Sequence, residues 1–134
     1  MAEDFLILRG TVSVGMGKAA DFLSMPGYRK GFKSAIGYVP YPGTLNIKLF
    51  RSYVRKASGM GRKGMRLVRG FSAGGKRFGR VRCYEAVLNG RIGVFVIRPE
   101  RSRYPPSILE LVSRKRLKPR IKAGSTVSVG VRLH

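Results

Sequence analysis

The stretch FGRVRCYEAVLNGRIGVFVI, residues 78–97, decides the fold class. Asn89-Gly90 divides two runs rich in Val, Ile, Tyr and Phe, and Asn and Gly tolerate the positive φ that a tight hairpin turn requires. An antiparallel hairpin over 78–88 and 91–97 is predicted. Working outward, Leu45-Asn46-Ile47-Lys48-Leu49 alternates apolar and polar residues at the strand period. The apolar run from Phe5 passes into the same alternation at Thr11-Val12-Ser13-Val14, and 65–71 and 126–133 read as further strands. Tyr28, Phe32, Ala35 and Ile36 share one helical stripe, so a short helix over 28–36 is expected, ended by Gly37. Pro105-Pro106 ahead of 107–112 predicts a second short helix. Residues 51–64 are basic and carry Gly59, Gly61 and Gly64, which reads as a mobile loop. About six strands with short helical insertions suit a closed, mainly β barrel better than a doubly wound parallel sheet. No repeat or linker interrupts the pattern, so one domain over 1–134 is expected.

Composition narrows the chemistry. The chain is 43% hydrophobic, enough to form a core rather than a basic disordered tail. Twenty-eight Lys and Arg face six acids, Glu3, Asp4, Asp21, Glu85, Glu100 and Glu110, for a net charge of +22. Such a surface attracts polyanions, either nucleoside triphosphates or nucleic acid. Taken alone, the charge favours a nucleic-acid-binding barrel. Cys83 is the single cysteine and His134 the single histidine, which excludes an internal disulfide, a Cys/His metal cluster and a histidine-based triad. No apolar stretch is long enough to cross a bilayer, and the start Met1-Ala2-Glu3-Asp4 lacks the features of a signal peptide. A reduced, cytoplasmic setting and a monomer are expected.

Two segments can carry phosphate chemistry. Gly15-Met16-Gly17-Lys18-Ala19-Ala20 follows a strand; small residues let backbone N–H groups approach phosphate oxygens, and Lys18 adds a charge. It is not the common phosphate loop, because Val12 stands where the first glycine belongs and Ala19 where a serine or threonine belongs. In Pro40-Tyr41-Pro42-Gly43-Thr44-Leu45-Asn46-Ile47-Lys48-Leu49, strand alternation puts Thr44, Asn46 and Lys48 on one face. A hydroxyl and an amide oxygen two positions apart suit Mg²⁺, which takes hard oxygen ligands and leaves the rest of its shell to water and phosphates. On spacing alone, the structural account is the better one for each: a glycine turn between two elements, and a proline-glycine turn leading into a half-exposed strand with Thr44 and Asn46 merely solvated.

These two segments, together with Phe22-Leu23-Ser24-Met25-Pro26-Gly27-Tyr28, Gly37-Tyr38-Val39 and Ile108-Leu109-Glu110-Leu111-Val112, occur in an order that resembles the archaeal CTP-dependent riboflavin kinase family. The resemblance runs from Gly10 to Val131, and its most specific block is 40–46. It implies a six-stranded cradle-loop (RIFT-like) barrel that transfers a phosphate from CTP to riboflavin, giving FMN and CDP. It also implies that Gly15 to Ala20 wrap the nucleotide, with Lys115, Arg116, Leu117 and Lys118 closing over the cytidine. Thr44 and Asn46 would hold Mg²⁺, and Ser102 and Glu110 would contact the flavin. Members of that family often read Lys-Leu-Arg where this chain has Arg116-Leu117-Lys118, and Pro119 follows directly. Some members carry an added helix-turn-helix domain, which is not expected here. Glu110 is the candidate to orient the ribityl hydroxyl and accept its proton; the competing account makes it an exposed helix residue. Phe32, Tyr38 and Tyr41 are the aromatic candidates for stacking on the flavin, with nothing to choose among them.

Overall fold

The computed structural model describes residues 4–15, 17–102, 104–117 and 120–133. Nine strands and three helices are formed among them: β1 (Phe5–Ser13), α1 (Ala19–Leu23), α2 (Pro26–Ile36), β2 (Leu45–Leu49), α3 (Arg51–Ser58), β3 (Met65–Val68), β4 (Phe71–Ala73), β5 (Lys76–Phe78), β6 (Val81–Leu88), β7 (Ile92–Pro99), β8 (Ile108–Val112) and β9 (Thr126–Arg132). The main sheet runs β3-β6-β7-β8-β2-β1-β9, and a β6–β9 pairing joins its two ends. The expected six-stranded barrel is therefore closed by β6, β7, β8, β2, β1 and β9, all antiparallel. Closure is possible because β6 serves two neighbours: Val81 to Tyr84 pair with β3, and Ala86 to Leu88 pair with β9.

Alternation along each strand sends one apolar set inward. Leu8, Val12, Leu45, Ile47, Tyr84, Val96, Leu109, Leu111 and Val129 belong to the barrel core. Phe32, Tyr28 and Ile36 of α2 cover Cys83, Phe95, Ile97 and Val112 on the other face of β6, β7 and β8. Burial on both faces explains the uninterrupted apolar run Val94 to Ile97. Pro26 starts α2, and Gly37, at φ 91°, ends it with its N–H on the Lys33 carbonyl. At the predicted hairpin turn Asn89 and Gly90 have φ of 53° and 68°.

Three expectations are corrected. Residues 107–112 are not a helix; β8 occupies Ile108–Val112, paired with both β2 and β7. A short apolar run fits either period, and here two open ladder edges supply hydrogen bonds that a helix would forgo. Residues 51–64 are not a mobile loop throughout, because α3 spans Arg51–Ser58 and packs Tyr53, Val54 and Ala57 against the barrel core. The glycines that suggested a loop fall after it, and Arg55 and Lys56 in its last turn suit the negative end of the helix dipole. Tyr84 then donates a hydrogen bond of 2.6 Å to the Gly61 carbonyl, tying the segment after α3 to the barrel. Finally, the strands expected over 65–71 and 78–88 are each broken, at Arg69-Gly70 and Gly79-Arg80, where the β4–β5 hairpin branches off.

Candidate active site

Three strands meet at one end of the barrel. Asn46 in β2 lies opposite Ser13 of β1 on one side and Glu110 of β8 on the other. Leu45 and Ile47 point into the barrel core, so Asn46 and Glu110 stand on the other face. Asn46 is 2% exposed, a buried carboxamide rather than a solvated one. Thr44 Oγ1 donates a hydrogen bond of 2.9 Å to Asn46 Oδ1, and Asn46 Nδ2 donates one of 3.1 Å to the Tyr104 hydroxyl. The glycine turn after β1 closes over this group. A Cβ built on Gly15 would overlap the Asn46 carboxamide and the Tyr104 hydroxyl, and Gly15 is not in the left-handed region. Its glycine requirement is therefore one of space. Gly15→Ala is expected to push the Asn46 amide off the Tyr104 hydroxyl, and a crystal structure of the variant checks it.

A cavity of about 240 Å³ opens beside this group, lined by Gly15, Gly17, Ala19 and Ala20 on one side and Lys115, Arg116 and Leu117 on the other, with Thr44 and Asn46 between. Met16 and Lys118 lie outside the described residues. Lys18 lines a second cavity instead, of about 490 Å³, with Phe22, Tyr28, Phe78, Ser102 and Glu110. Its aromatic wall comes from α1, α2 and the β4–β5 hairpin, with Phe22 edge-on to Tyr28 at 5.4 Å between ring centroids. Its volume and its mixed apolar and polar lining suit a flat, drug-sized ligand. Tyr104 borders both cavities.

The sequence reading of the aromatic candidates changes. Phe32 is fully buried core, and Tyr38 lies away from both cavities, against Phe95 and under the Arg114 guanidinium. Tyr41 lines the smaller cavity. Phe22, Tyr28, Phe78 and Tyr104 were not anticipated at a site. The first three read as core, and no local pattern marks a loop tyrosine that meets Asn46 across 58 positions.

Glu110 is not an exposed helix residue, being 5% exposed on β8. Burial pushes its carboxyl up to about 7, while the Arg98 guanidinium pulls the other way. Arg98 Nη1 donates to the Ile108 carbonyl at 3.5 Å, and Nη2 is buried with no hydrogen-bond partner among the described residues. Two other acids are tied up in ion pairs. Glu100 pairs with Arg80 at 2.8 Å and Glu85 with Arg132 at 3.1 Å. Burial pushes the Cys83 thiol up to about 12, which removes it as a nucleophile.

The donor set fits a hard divalent ion. Two oxygens bound side by side to an octahedral Mg²⁺ at about 2.0–2.1 Å lie about 2.9 Å apart. That is the separation of Thr44 Oγ1 and Asn46 Oδ1, at 2.9 Å. Among the described residues no group of three His, Cys, Asp or Glu could hold a metal. A cation here would depend on a ligand's phosphates for negative charge.

The family model for CTP-dependent riboflavin kinases, described as a domain of unknown function, DUF120, matches residues 12–131. A riboflavin kinase of Archaeoglobus fulgidus is 35% identical over 96% of this chain and 56% of its own length. One from Methanospirillum hungatei is 34% identical over 98% of this chain and 60% of its own length. One from Ignicoccus hospitalis is 37% identical over 91% of this chain and 69% of its own length. The chain thus spans little more than half the length of the first two relatives. Among the described residues no helix is long and apolar enough to cross a membrane.

Proposed function

The chain belongs to the CTP-dependent riboflavin kinase family, and on that premise we propose that it transfers the terminal phosphate of CTP to the ribityl 5′-hydroxyl of riboflavin, giving FMN and CDP. The observation that carries this reading is the meeting of two unlike cavities at Tyr104, one beside Thr44, Asn46 and a glycine turn, the other aromatic and lined by Ser102 and Glu110. Phosphoryl transfer asks a protein mainly for alignment and charge neutralisation, and two adjoining pockets supply the alignment. Gly15, Gly17, Ala19 and Ala20, with Lys115, Arg116 and Leu117 lining the same cavity, embrace the nucleotide. Thr44 and Asn46 hold the metal, and Ser102 and the aromatic wall orient the flavin. Mg²⁺, when bound, offsets the negative charge on the donor's phosphates. Glu110, whose carboxyl burial pushes up to about 7, accepts the hydroxyl proton once it is ionised. CTP as donor follows from the family; the cavity's shape does not single out a base.

Incubating riboflavin with CTP, ATP, GTP and UTP in turn, with Mg²⁺, and measuring FMN tests the reading. FMN is expected with CTP well above the others; none from any donor overturns it. A second reading has its own support. Residues 22–84 contain no acid, and Arg51, Arg55, Lys56, Arg62, Lys63, Arg66 and Arg69 are all exposed from α3 through β3 to the break after it. That surface suits a nucleic-acid backbone, and salt-sensitive RNA binding unaffected by saturating CTP would establish it as separate from the cavities.

A further inference from the structure

We propose that Tyr104 is a positioning residue that holds the Asn46 carboxamide with its oxygen on the metal side, and whose ring forms the partition between the nucleotide and flavin cavities. The inference rests on the function proposed above and adds a residue that its chemistry does not by itself require. A carboxamide has one acceptor end and one donor end of nearly equal size. Turned about, Asn46 would aim N–H groups at the place a cation must occupy. Two contacts set its present direction: Thr44 Oγ1 donates to Oδ1 at 2.9 Å, and the Tyr104 hydroxyl accepts from Nδ2 at 3.1 Å.

When Thr44 and Asn46 both turn lone pairs to a cation, the Thr44 contact no longer discriminates between the two ends. The Nδ2 donor is then the end that needs an acceptor. Asn46 is 2% exposed, so water does not supply one easily. The Tyr104 oxygen is the acceptor in place, and outer partners of this kind set ligand orientation at metal sites. The ring has a second task. Tyr104 borders the small cavity with Asn46 and the large one with Ser102 and Glu110. Ser102 Oγ in turn accepts from the Tyr104 backbone N–H at 3.2 Å, which anchors the loop that carries the ring. Hydroxyl and ring thus serve different ligands and can be separated by substitution.

Tyr104→Phe removes the acceptor and keeps the partition, whereas Tyr104→Leu removes both. Mn²⁺ binding in the presence of CDP, followed by electron paramagnetic resonance, reads the metal site without turnover; quenching of riboflavin fluorescence reads the flavin site. The expected result for Tyr104→Phe is Mn²⁺ affinity lower by about 10- to 100-fold, with riboflavin affinity within about 2-fold of wild type. Tyr104→Leu is expected to weaken both. Wild-type Mn²⁺ affinity in a folded Tyr104→Phe protein overturns the proposal while leaving the kinase reading standing. Failure of the wild type to bind Mn²⁺ with CDP removes the metal assignment underneath it.

Discussion

Asn46→Ala is expected to lower FMN formation by about 10²- to 10³-fold. Charge stabilisation by a metal on a transferring phosphoryl group is worth several kcal/mol, and each 1.36 kcal/mol is about tenfold in rate. Losing one of two protein ligands removes a large part of that. The variant also leaves Thr44 Oγ1 and the Tyr104 hydroxyl without the amide between them. Both hydroxyls are only part-buried and can turn to water, so the stability cost is about 1 kcal/mol. The barrel survives, since Leu45 and Ile47 on the other face are untouched. The two effects are told apart by temperature. Assays well below the melting transition should still show the full loss, and raising Mg²⁺ should recover part of it if Thr44 and the donor's phosphates keep a weak site. A folded Asn46→Ala protein with wild-type turnover ends the metal assignment.

What the sequence disclosed, and what it withheld, follows from the range of each interaction. The 78–97 hairpin, the 45–49 strand and the α2 stripe depend on neighbours within a few residues, so period and turn chemistry reveal them. Pairing Thr44 with Asn46 needed only the two-residue alternation of a strand. β8 was hidden because Ile108 to Val112 becomes a strand only between β2 and β7, whose edges are set by the closed ring. With β8 misread as a helix, an exposed helix residue stood as the competing account of Glu110, and its burial beside Arg98 could not be seen. The aromatic wall was hidden for a related reason. Phe22, Tyr28 and Phe78 have the composition of core, and only the branching of the β4–β5 hairpin leaves them bordering a cavity.

Glu110→Gln carries the second large effect, and its signature is in the rate rather than in binding. Glutamine keeps the size of the side chain and its hydrogen-bonding capacity but cannot take a proton at neutral pH. General-base assistance is worth about 10²- to 10⁴-fold, so the transfer rate should fall within that range while CDP and riboflavin affinities change little. The pH dependence supplies a second, independent sign. A base works when deprotonated, so wild-type turnover should rise with pH and level off once the carboxyl is ionised, at or below about 7. The plateau comes earlier with a cation on Asn46 opposite, since a positive neighbour favours the carboxylate. In the Gln variant that rise should vanish. Stability moves the other way. The folded-state value lies above the ordinary 4.5, so the contribution of Glu110 is full below that pH and is lost as pH climbs toward 7. The wild type should therefore lose stability across that interval in a way the Gln variant does not. A Gln variant with the wild-type rate and an unchanged pH profile would leave Glu110 as a buried structural carboxyl, and the ribityl hydroxyl would have to lose its proton to another acceptor.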